Sequence, residues 1–338
     1  VTATDTLLTV PPPRITPAAL AAVLRNHWGL SGTLSPLTSE RDLNHRLDSP
    51  QGRFVIRLTN PAEPAAMTDF QTRAALHVAQ RDPDLPVQRL VPLRDGRPLL
   101  PLPEGRLRVF TWLEGQPLHL APRSHAQRRA IGAGLARLTA ALADFDHPAA
   151  DHVLLWDIRQ MPALAPLTDH IADPALRADC AAFIADYTAR VLPVLNAMPR
   201  QVVHADFNPH NLLVAQDNPD LLTGILDFGD MVRTPRACDL AVAASYQIDP
   251  ADPLGSLSAL ISGYAAHLPL TPQETALLYD LITARMVTTL TITAWRAAIH
   301  PENAPYILRN APSARAGLVA FRVLGRDAVT HALKKAQT

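Results

Sequence analysis

The sequence predicts an α+β protein of two lobes, the first small and β-rich, the second larger and mainly helical. Three observations predict it. Short strand-like apolar runs crowd the N-terminal third, the composition changes at Leu113-Glu114-Gly115, and long amphipathic helical patterns follow around one cluster of short apolar runs that end in polar residues. The division falls between residues 113 and 114, giving lobes 1–113 and 114–338.

In chain order, Thr16 caps and Pro17 opens a helix within 15–30, with Ala19, Leu20, Val23 and Leu24 as its apolar face. Gly32 to Leu37 leads into a first strand. Asn44–Leu47 and Phe54–Leu58 read as adjacent strands joined through Ser49-Pro50-Gln51-Gly52. Residues 66–80 form an amphipathic helix, and Val87–Val91 and Leu107–Trp112 are strands with Gly96 and Gly105 in turns between them. Past the hinge, Ile131, Leu135, Leu138 and Leu142 mark a helix over 124–143, and another covers 174–190. Three short strands follow at Gln201–His204, Asn211–Val214 and Leu222–Leu226, then helices near 237–247, 254–267, 271–298 and 312–335.

Composition narrows the function. Hydrophobic residues make up 48% of 338, enough for substantial cores, while 31 basic and 31 acidic residues cancel. Zero net charge and no interleaved basic-aromatic patch argue against nucleic acid. No apolar run is long enough to span a bilayer, the opening VTATDTLLTVPPPRITP lacks the character of a signal peptide, and no heptad or internal repeat is present. Cys180 and Cys238 have no metal-binding spacing, which fits a reduced cytoplasmic protein.

The chemistry concentrates in VVHADFNPHNLLV at 202–214 and GILDFGD at 224–230. Each places a polar cluster at the end of an apolar run, so Asp206 and Asp227 sit at strand ends facing one cleft. Either His-Ala-Asp or Asp-Phe-Gly alone reads as an ordinary capped turn; their joint order and spacing do not. Phosphoryl transfer needs a group that orients an alcohol and takes its proton, oxygen ligands for a divalent metal, and positive charge near the phosphates. Asp206 fits the first requirement. Asn211, through its amide oxygen, and Asp227, through its carboxylate, fit the second with Mg²⁺. His204 fixes the loop by bonding to backbone or to Asp227, and Gly229 relieves crowding at the second turn.

The run H-A-D-F-N-P-H-N, with Asn five positions past Asp, and L-D-F-G-D resemble the catalytic and metal-binding loops of the aminoglycoside phosphotransferase and choline kinase superfamily. The resemblance covers nearly the whole chain. It implies a two-lobed protein-kinase-like fold, Asp206 as catalytic base or substrate-orienting group, and Asn211 and Asp227 on metal. S-E-R-D-L-N-H-R-L at 39–47, R-F-V-I-R-L-T-N at 53–60, L-L-W-D-I at 154–158, G-I-L-D-F-G-D-M at 224–231 and H-P-E-N around Glu302 are similar to hydroxylysine-kinase-like proteins. That implies a small hydroxyl-bearing substrate, hydroxylysine or a related amino alcohol. Homoserine, choline-like alcohols and sugar or aminoglycoside hydroxyls are the alternatives, with ATP or GTP and Mg²⁺ as the donor system.

The same resemblance sets Ser39 to Asn44 in a phosphate-facing turn. It lacks Gly-x-Gly-x-x-Gly, so side chains such as Ser39 and Asn44 take over from backbone donors, although a surface hairpin favours the same residues. Arg57 stands where a phosphate-binding Lys is usual. Near the Glu that anchors such a cation stands Gln71, with Asp69 two residues earlier on another helix face. Either Gln71 orients Arg57 without neutralising it, or Asp69 pairs with it. Trp112 and Leu113 belong to a hinge whose backbone reads a purine edge, the Trp112 ring being better suited to packing. An acceptor ammonium would call on Asp230, Asp157 or Glu302, with aromatic walls from Trp156, Tyr246 and Trp295. An acceptor carboxylate would call on Arg233, Arg236 or Arg285. Asp239 reads as a brace for the catalytic loop. A second reading, a non-catalytic nucleotide or metabolite sensor, rests on the departures at Arg57 and Gln71.

Overall fold

The computed structural model describes residues 10–39 and 41–337. The residues before 10, read above for the absence of a leader, and Glu40 of the 39–47 stretch lie outside them.

Helix α1 (Pro17–His27) begins where expected, with the Thr16 hydroxyl accepting from the Ala19 amide at 3.2 Å. It buries Leu20 and Leu24 against a sheet of β1 (Thr33–Leu37), β2 (Leu43–Ser49), β3 (Gly52–Thr59), β4 (Leu90–Val91), β5 (Leu100–Leu102) and β6 (Gly105–Thr111). The order is β1-β2-β3-β6-β4, with β5 also on β6, and the pairs are antiparallel. Alternation divides the sheet's faces. Leu47, Ile56, Leu58, Leu107 and Val109 enter a small core with α1. On the other face the register aligns Asn44 with Arg57 and Arg57 with Arg108, a polar row across three strands.

Two details of this lobe differ from expectation. The strand expected over 87–91 shrinks to two residues, because Val87 instead makes a parallel bridge to Ile225 of the other lobe. Strand β5 was not expected from Leu-Pro-Leu; its Pro101 is tolerated because β5 is an edge strand that pairs with β6 alone.

Helix α2 (Ala65–Arg81) turns Phe70, Ala74 and Val78 into the larger core, where Phe70 stacks on Phe145 at 6.0 Å. The chain then crosses through β7 (Gln116–Pro117), which pairs with β9 (Leu212–Val214), itself paired with β10 (Leu222–Ile225). Strand β8 (Gln201–Val203) pairs with β11 (Val232–Thr234), an unforeseen strand that flanks the second polar loop.

The helical lobe contains α3 (His125–Ala141), α4 (Pro174–Asp186), α5 (Leu192–Asn196), α6 (Arg236–Ser245), α7 (Pro253–Ala265), α8 (Pro272–Ile299), α9 (Ala304–Ile307) and α10 (Ala311–Lys335). Helix α4 stops short of 190 in a π turn at Tyr187–Val191, ahead of Pro193. A 3-10 stretch at Ile158–His170 accommodates Pro162 and Pro166, which hide it from helical periodicity. Helix α8 opens with a capping box between Thr271 and Glu274. Helices α3 and α7 touch backbone to backbone: a Cβ on Gly132 would press into the Leu260 carbonyl oxygen, and one on Gly263 into that of Arg129. The result is the expected bilobal kinase-like fold. Among the described residues, no helix is long and apolar enough to cross a membrane.

Candidate active site

Strand β8 ends at Val203, and the next eight residues turn back into β9. Three interactions set this turn. The Asp239 carboxylate, in the first turn of α6, accepts the Ala205 amide at 2.8 Å and the His204 amide at 3.3 Å. His204 places Nε2 2.9 Å from the Leu226 carbonyl, and its Nδ1 accepts the Asp206 amide at 3.3 Å, so Nε2 carries the proton. The Leu226 amide donates to the Asn211 carbonyl at 2.8 Å. Both ends of the loop at 204–211 are therefore tied to Leu226, where the loop at 226–230 begins. Ala205 and Asp227 are, among the described residues, the non-glycine positions with positive φ, 63° and 60°. Strain of this kind, about 1 kcal/mol or more per residue, persists where the surroundings over-determine the backbone. It marks the two loops on which the sequence reading converged.

These loops bring their polar side chains together. Asn211 Nδ2 donates to Asp206 Oδ2 at 2.7 Å and to the Asp206 carbonyl at 3.0 Å, so the amide oxygen of Asn211 lies on the opposite edge. Asp206 Oδ1 accepts from Arg285 Nη2 at 3.3 Å. Asp227 is open to solvent on one side yet lies deep among protein atoms. Burial alone would raise its pKa, but Arg57, Arg41, His204 and the Gly229 amide hold it below the usual carboxylate range. Asp230 moves the other way. Burial, then the charges of Asp206 and Asp227, push it up to about 6 against the pull of Arg41 and Arg285. Asp206, Asp227 and Asp230 thus share one cleft with two arginines.

The opposing lobe presents cations. Arg57, Arg108, Gln71, Gln88 and Phe110 line the cleft together with Asp227 and Phe228. The buried Nε of Arg57, Nε of Arg108 and Oδ1 of Asn44 have no partner in the described structure. Arg108 is 1% exposed; burial first and the adjacent Arg57 second lower its pKa to about 10. It donates to Thr59 Oγ1 at 2.9 Å and Gln71 Oε1 at 3.1 Å. Gln71 thus accepts from Arg108 in place of the expected Arg57. Asp69 faces away from Arg57, accepting from Arg73 at 2.9 Å and lying 3.1 Å from His147 Nε2.

Sequence reasoning did not single out Arg41 or Arg108. Arg41 lies inside the 39–44 turn. Burial opposes its charge, but Asp230 and Asp227 hold its pKa up. Asn60 fixes this turn, its Nδ2 donating to the Arg41 carbonyl at 3.1 Å while its amide donates to Asp42 Oδ1 at 3.0 Å. The Ser39 hydroxyl accepts the Asp42 amide at 3.2 Å and so shapes the turn as well. At the hinge, the Trp112 amide donates to the Arg53 carbonyl at 3.1 Å, and Arg46 lies 5.7 Å over the Trp112 ring. Trp112 packs, and the adjoining Leu113 is half-buried.

The acceptor candidates separate clearly. Trp156 and Tyr246 flank Arg285, whose Cζ lies 5.0 and 5.7 Å from their ring centres. Asp157, 5% exposed, instead accepts from the Arg159 amide and the Thr234 hydroxyl, each at 3.1 Å. Burial raises its pKa, and it works as a cap rather than a cleft carboxylate. Glu302 is exposed, 3.5 Å from His300, and Trp295 packs against the large core. Arg233 pairs with Asp146 and Asp151, and Arg236 makes a two-pronged pair with Glu274.

Among the described residues, no three His, Cys, Asp or Glu side chains form a ready-made metal cage. The Asn211 amide oxygen and the Asp227 carboxylate are two oxygen groups that could hold an ion completing its shell with phosphates and water.

Two lobes of this kind, closing over acidic loops on one side and arginines on the other, define the kinase-like phosphotransferases of small molecules. Residues 33–277 match the Phosphotransferase enzyme family, the aminoglycoside phosphotransferase group, and the chain belongs to it. It is 27% identical over 337 residues to a hydroxylysine kinase of Danio rerio, covering 94% of each chain. It is 28% identical over 231 residues to a homoserine kinase of Zymomonas mobilis, covering 65% of this chain and 68% of that one. A microcompartment-associated aminopropanol kinase superposes with a TM-score of 0.68 at 20% identity, over 92% of this chain and 99% of that one, a likeness of fold. The chain is an enzyme that transfers phosphoryl groups, as its loops implied.

Proposed function

We propose that this phosphotransferase moves the terminal phosphoryl group of ATP or GTP to the hydroxyl of a hydroxylated amino acid or amino alcohol, with 5-hydroxylysine as the leading acceptor and homoserine as the second. The observation that carries the reading is the convergence of Asp206, Asn211, Asp227 and Asp230 beneath Arg57 and Arg41. The similarity to hydroxylysine kinases along most of both chains supports the choice of acceptor.

In this reading Asp206 accepts a hydrogen bond from the acceptor hydroxyl and takes its proton as the new P–O bond forms. The bond from the phosphoryl group to the nucleoside diphosphate breaks, and Arg57 and Arg41 offset charge on the departing phosphates. Asn211 and Asp227 would hold Mg²⁺, which when bound supplies compensating charge to the phosphate oxygens. Asp230 faces the acceptor's ammonium, and the backbone at Leu113 reads the base. The donor binds between lobes that part near residue 113. Cys180 and Cys238, both free and buried, suit a reducing compartment such as the cytoplasm.

The test is a product-mass screen of 5-hydroxylysine, homoserine and simple amino alcohols with ATP and with GTP. D206A is expected to lose transfer while retaining donor binding, and D227A to lose the Mg²⁺ dependence of donor affinity. A fully active D206A would end the assignment of the base.

A further inference from the structure

Arg285 differs from the other acceptor-side candidates in that the carboxylate it pairs with, at 3.3 Å, is Asp206 itself. Of the three arginines that the sequence offered for an acceptor carboxylate, Arg233 and Arg236 are engaged by Asp146, Asp151 and Glu274. Arg285 lies midway along α8, and its side chain is 2% exposed. Its Nη1 donates to the Trp156 carbonyl at 3.1 Å, and its Nη2 is shared between Asp206 Oδ1 and the Tyr246 hydroxyl, both at 3.3 Å. Its buried Nε has no partner in the described structure. A guanidinium boxed by two aromatic rings, with one donor unanswered and another divided between two long contacts, is poised for a better anion.

The same contacts occupy Asp206. Its Oδ2 is held by Asn211 at 2.7 Å and its Oδ1 by Arg285 at 3.3 Å. A hydroxyl that is to be deprotonated must reach one of these oxygens, and the longer contact is the one that yields. Removing Arg285 from Asp206 with nothing in exchange would leave a buried cation unpaired, which is strongly unfavourable. An acceptor that brings its own carboxylate removes that obstacle.

We propose that Arg285 is a specificity latch: in the empty enzyme it covers Asp206 Oδ1, and the carboxylate of an amino-acid acceptor draws it off and so exposes Asp206 to the acceptor's hydroxyl. Arg285 exchanges one carboxylate for another, and no covalent bond changes in this step. The hydroxyl then hydrogen-bonds to the freed oxygen, and its proton passes to Asp206 as its oxygen attacks the terminal phosphorus and the nucleoside diphosphate leaves. Amino alcohols without the carboxylate meet a covered base. Water meets it too, so donor hydrolysis without acceptor is held down. The latch rests on the kinase reading given above and adds the substrate's anionic group to it.

The experiment compares matched acceptors that differ by the carboxylate alone, 5-hydroxylysine with its decarboxylated amine and homoserine with 3-aminopropan-1-ol. Wild type is set beside R285M and R285K, with melting temperature and donor affinity confirming that each variant is folded. Wild type is expected to favour the carboxylated partner in kcat/KM by about a hundredfold, the worth of charge-assisted hydrogen bonds to a buried group. In R285M the preference collapses from both sides, through loss on the carboxylated partner and gain on the decarboxylated one, whose base is no longer covered; acceptor-free donor hydrolysis rises for the same reason, and R285K retains part of the preference. Calorimetric titration of each acceptor reads the same discrimination without turnover. A preference that survives R285M, or equal binding of both partners to wild type, overturns the latch. Absence of product from every acceptor, alongside carboxylate-dependent binding lost in R285M, overturns the kinase reading and leaves the anion site standing.

Discussion

Replacing Asp239 with Ala is expected to disable transfer while leaving the donor site intact. The carboxylate receives two buried backbone amides, Ala205 at 2.8 Å and His204 at 3.3 Å. Each orphaned amide costs about 1–3 kcal/mol, the longer bond lying at the lower end. Ala205 holds a left-handed backbone, and its relaxation returns about 1 kcal/mol. The net loss of stability is therefore about 2–3 kcal/mol, read as a shift in urea midpoint at constant slope. Relaxation of Ala205 moves Asp206, the next residue, and a displacement near 1 Å lowers kcat about a hundredfold. Donor affinity, which in the proposed reading rests on Arg57, Arg41 and Asp227, stays within a few-fold. D239N keeps one acceptor oxygen but turns an NH₂ toward the second amide, so it falls between wild type and D239A. A205G is expected to stabilise wild type by up to about 1 kcal/mol and D239A by less, because there the strain is already released. A D239A enzyme with the expected loss of stability and wild-type kcat would refute the reasoning, since loop geometry would then be held elsewhere.

R41Q is expected to weaken donor binding about tenfold, measured by titration with nucleotide, through loss of one cation from the phosphate side. G263A should destabilise the helical lobe by about 1–3 kcal/mol, because its Cβ must push α7 off the Arg129 carbonyl of α3; urea unfolding measures it. D280N removes the carboxylate that joins Arg190 and Arg326, with bonds of 2.8 Å and of 2.6 and 2.7 Å, and is expected to cost about 3 kcal/mol at neutral pH. Burial opposes the Asp280 charge, but Arg326 and Arg190 bring its pKa below the ordinary value. Its contribution is therefore complete above the unfolded-state pKa near 4 and fades as pH falls through the lower folded value. Urea midpoints of wild type and D280N should converge in acid; a gap that stays constant through that range would exclude the pair as its cause.

What could be read from sequence was what lies close along the chain. Asp206 and Asn211 sit five residues apart in one turn, and Asp227 follows at the end of β10, two short strands on, so local spacing exposes them. The helix start at Thr16 was visible through its capping hydroxyl and Pro17. Arg108 escaped because its meaning comes from register: it becomes a cleft residue when β6 sets it beside Arg57. Arg41 was passed over within a turn whose polar residues all suit a hairpin. Asp157 was misjudged because Thr234, 77 residues away, claims its carboxylate. The 3-10 stretch with Pro162 and Pro166 follows neither helical nor strand periodicity, and was invisible for that reason.

The row of Asn44, Arg57 and Arg108 carries a consequence for the protein's lifetime. Two cations face each other across adjacent strands, each with an Nε that no partner answers in the described structure, so the sheet is held together against its own charge. In the proposed reading a polyphosphate would relieve that repulsion, and a ligand that binds only the folded state stabilises it in proportion to the logarithm of its concentration. The N-terminal sheet should accordingly open to proteases more readily as nucleotide is withdrawn, with cleavage slowing again on adding back ATP or GTP. Abundance of the enzyme would then follow the supply of its own donor, without any dedicated regulator.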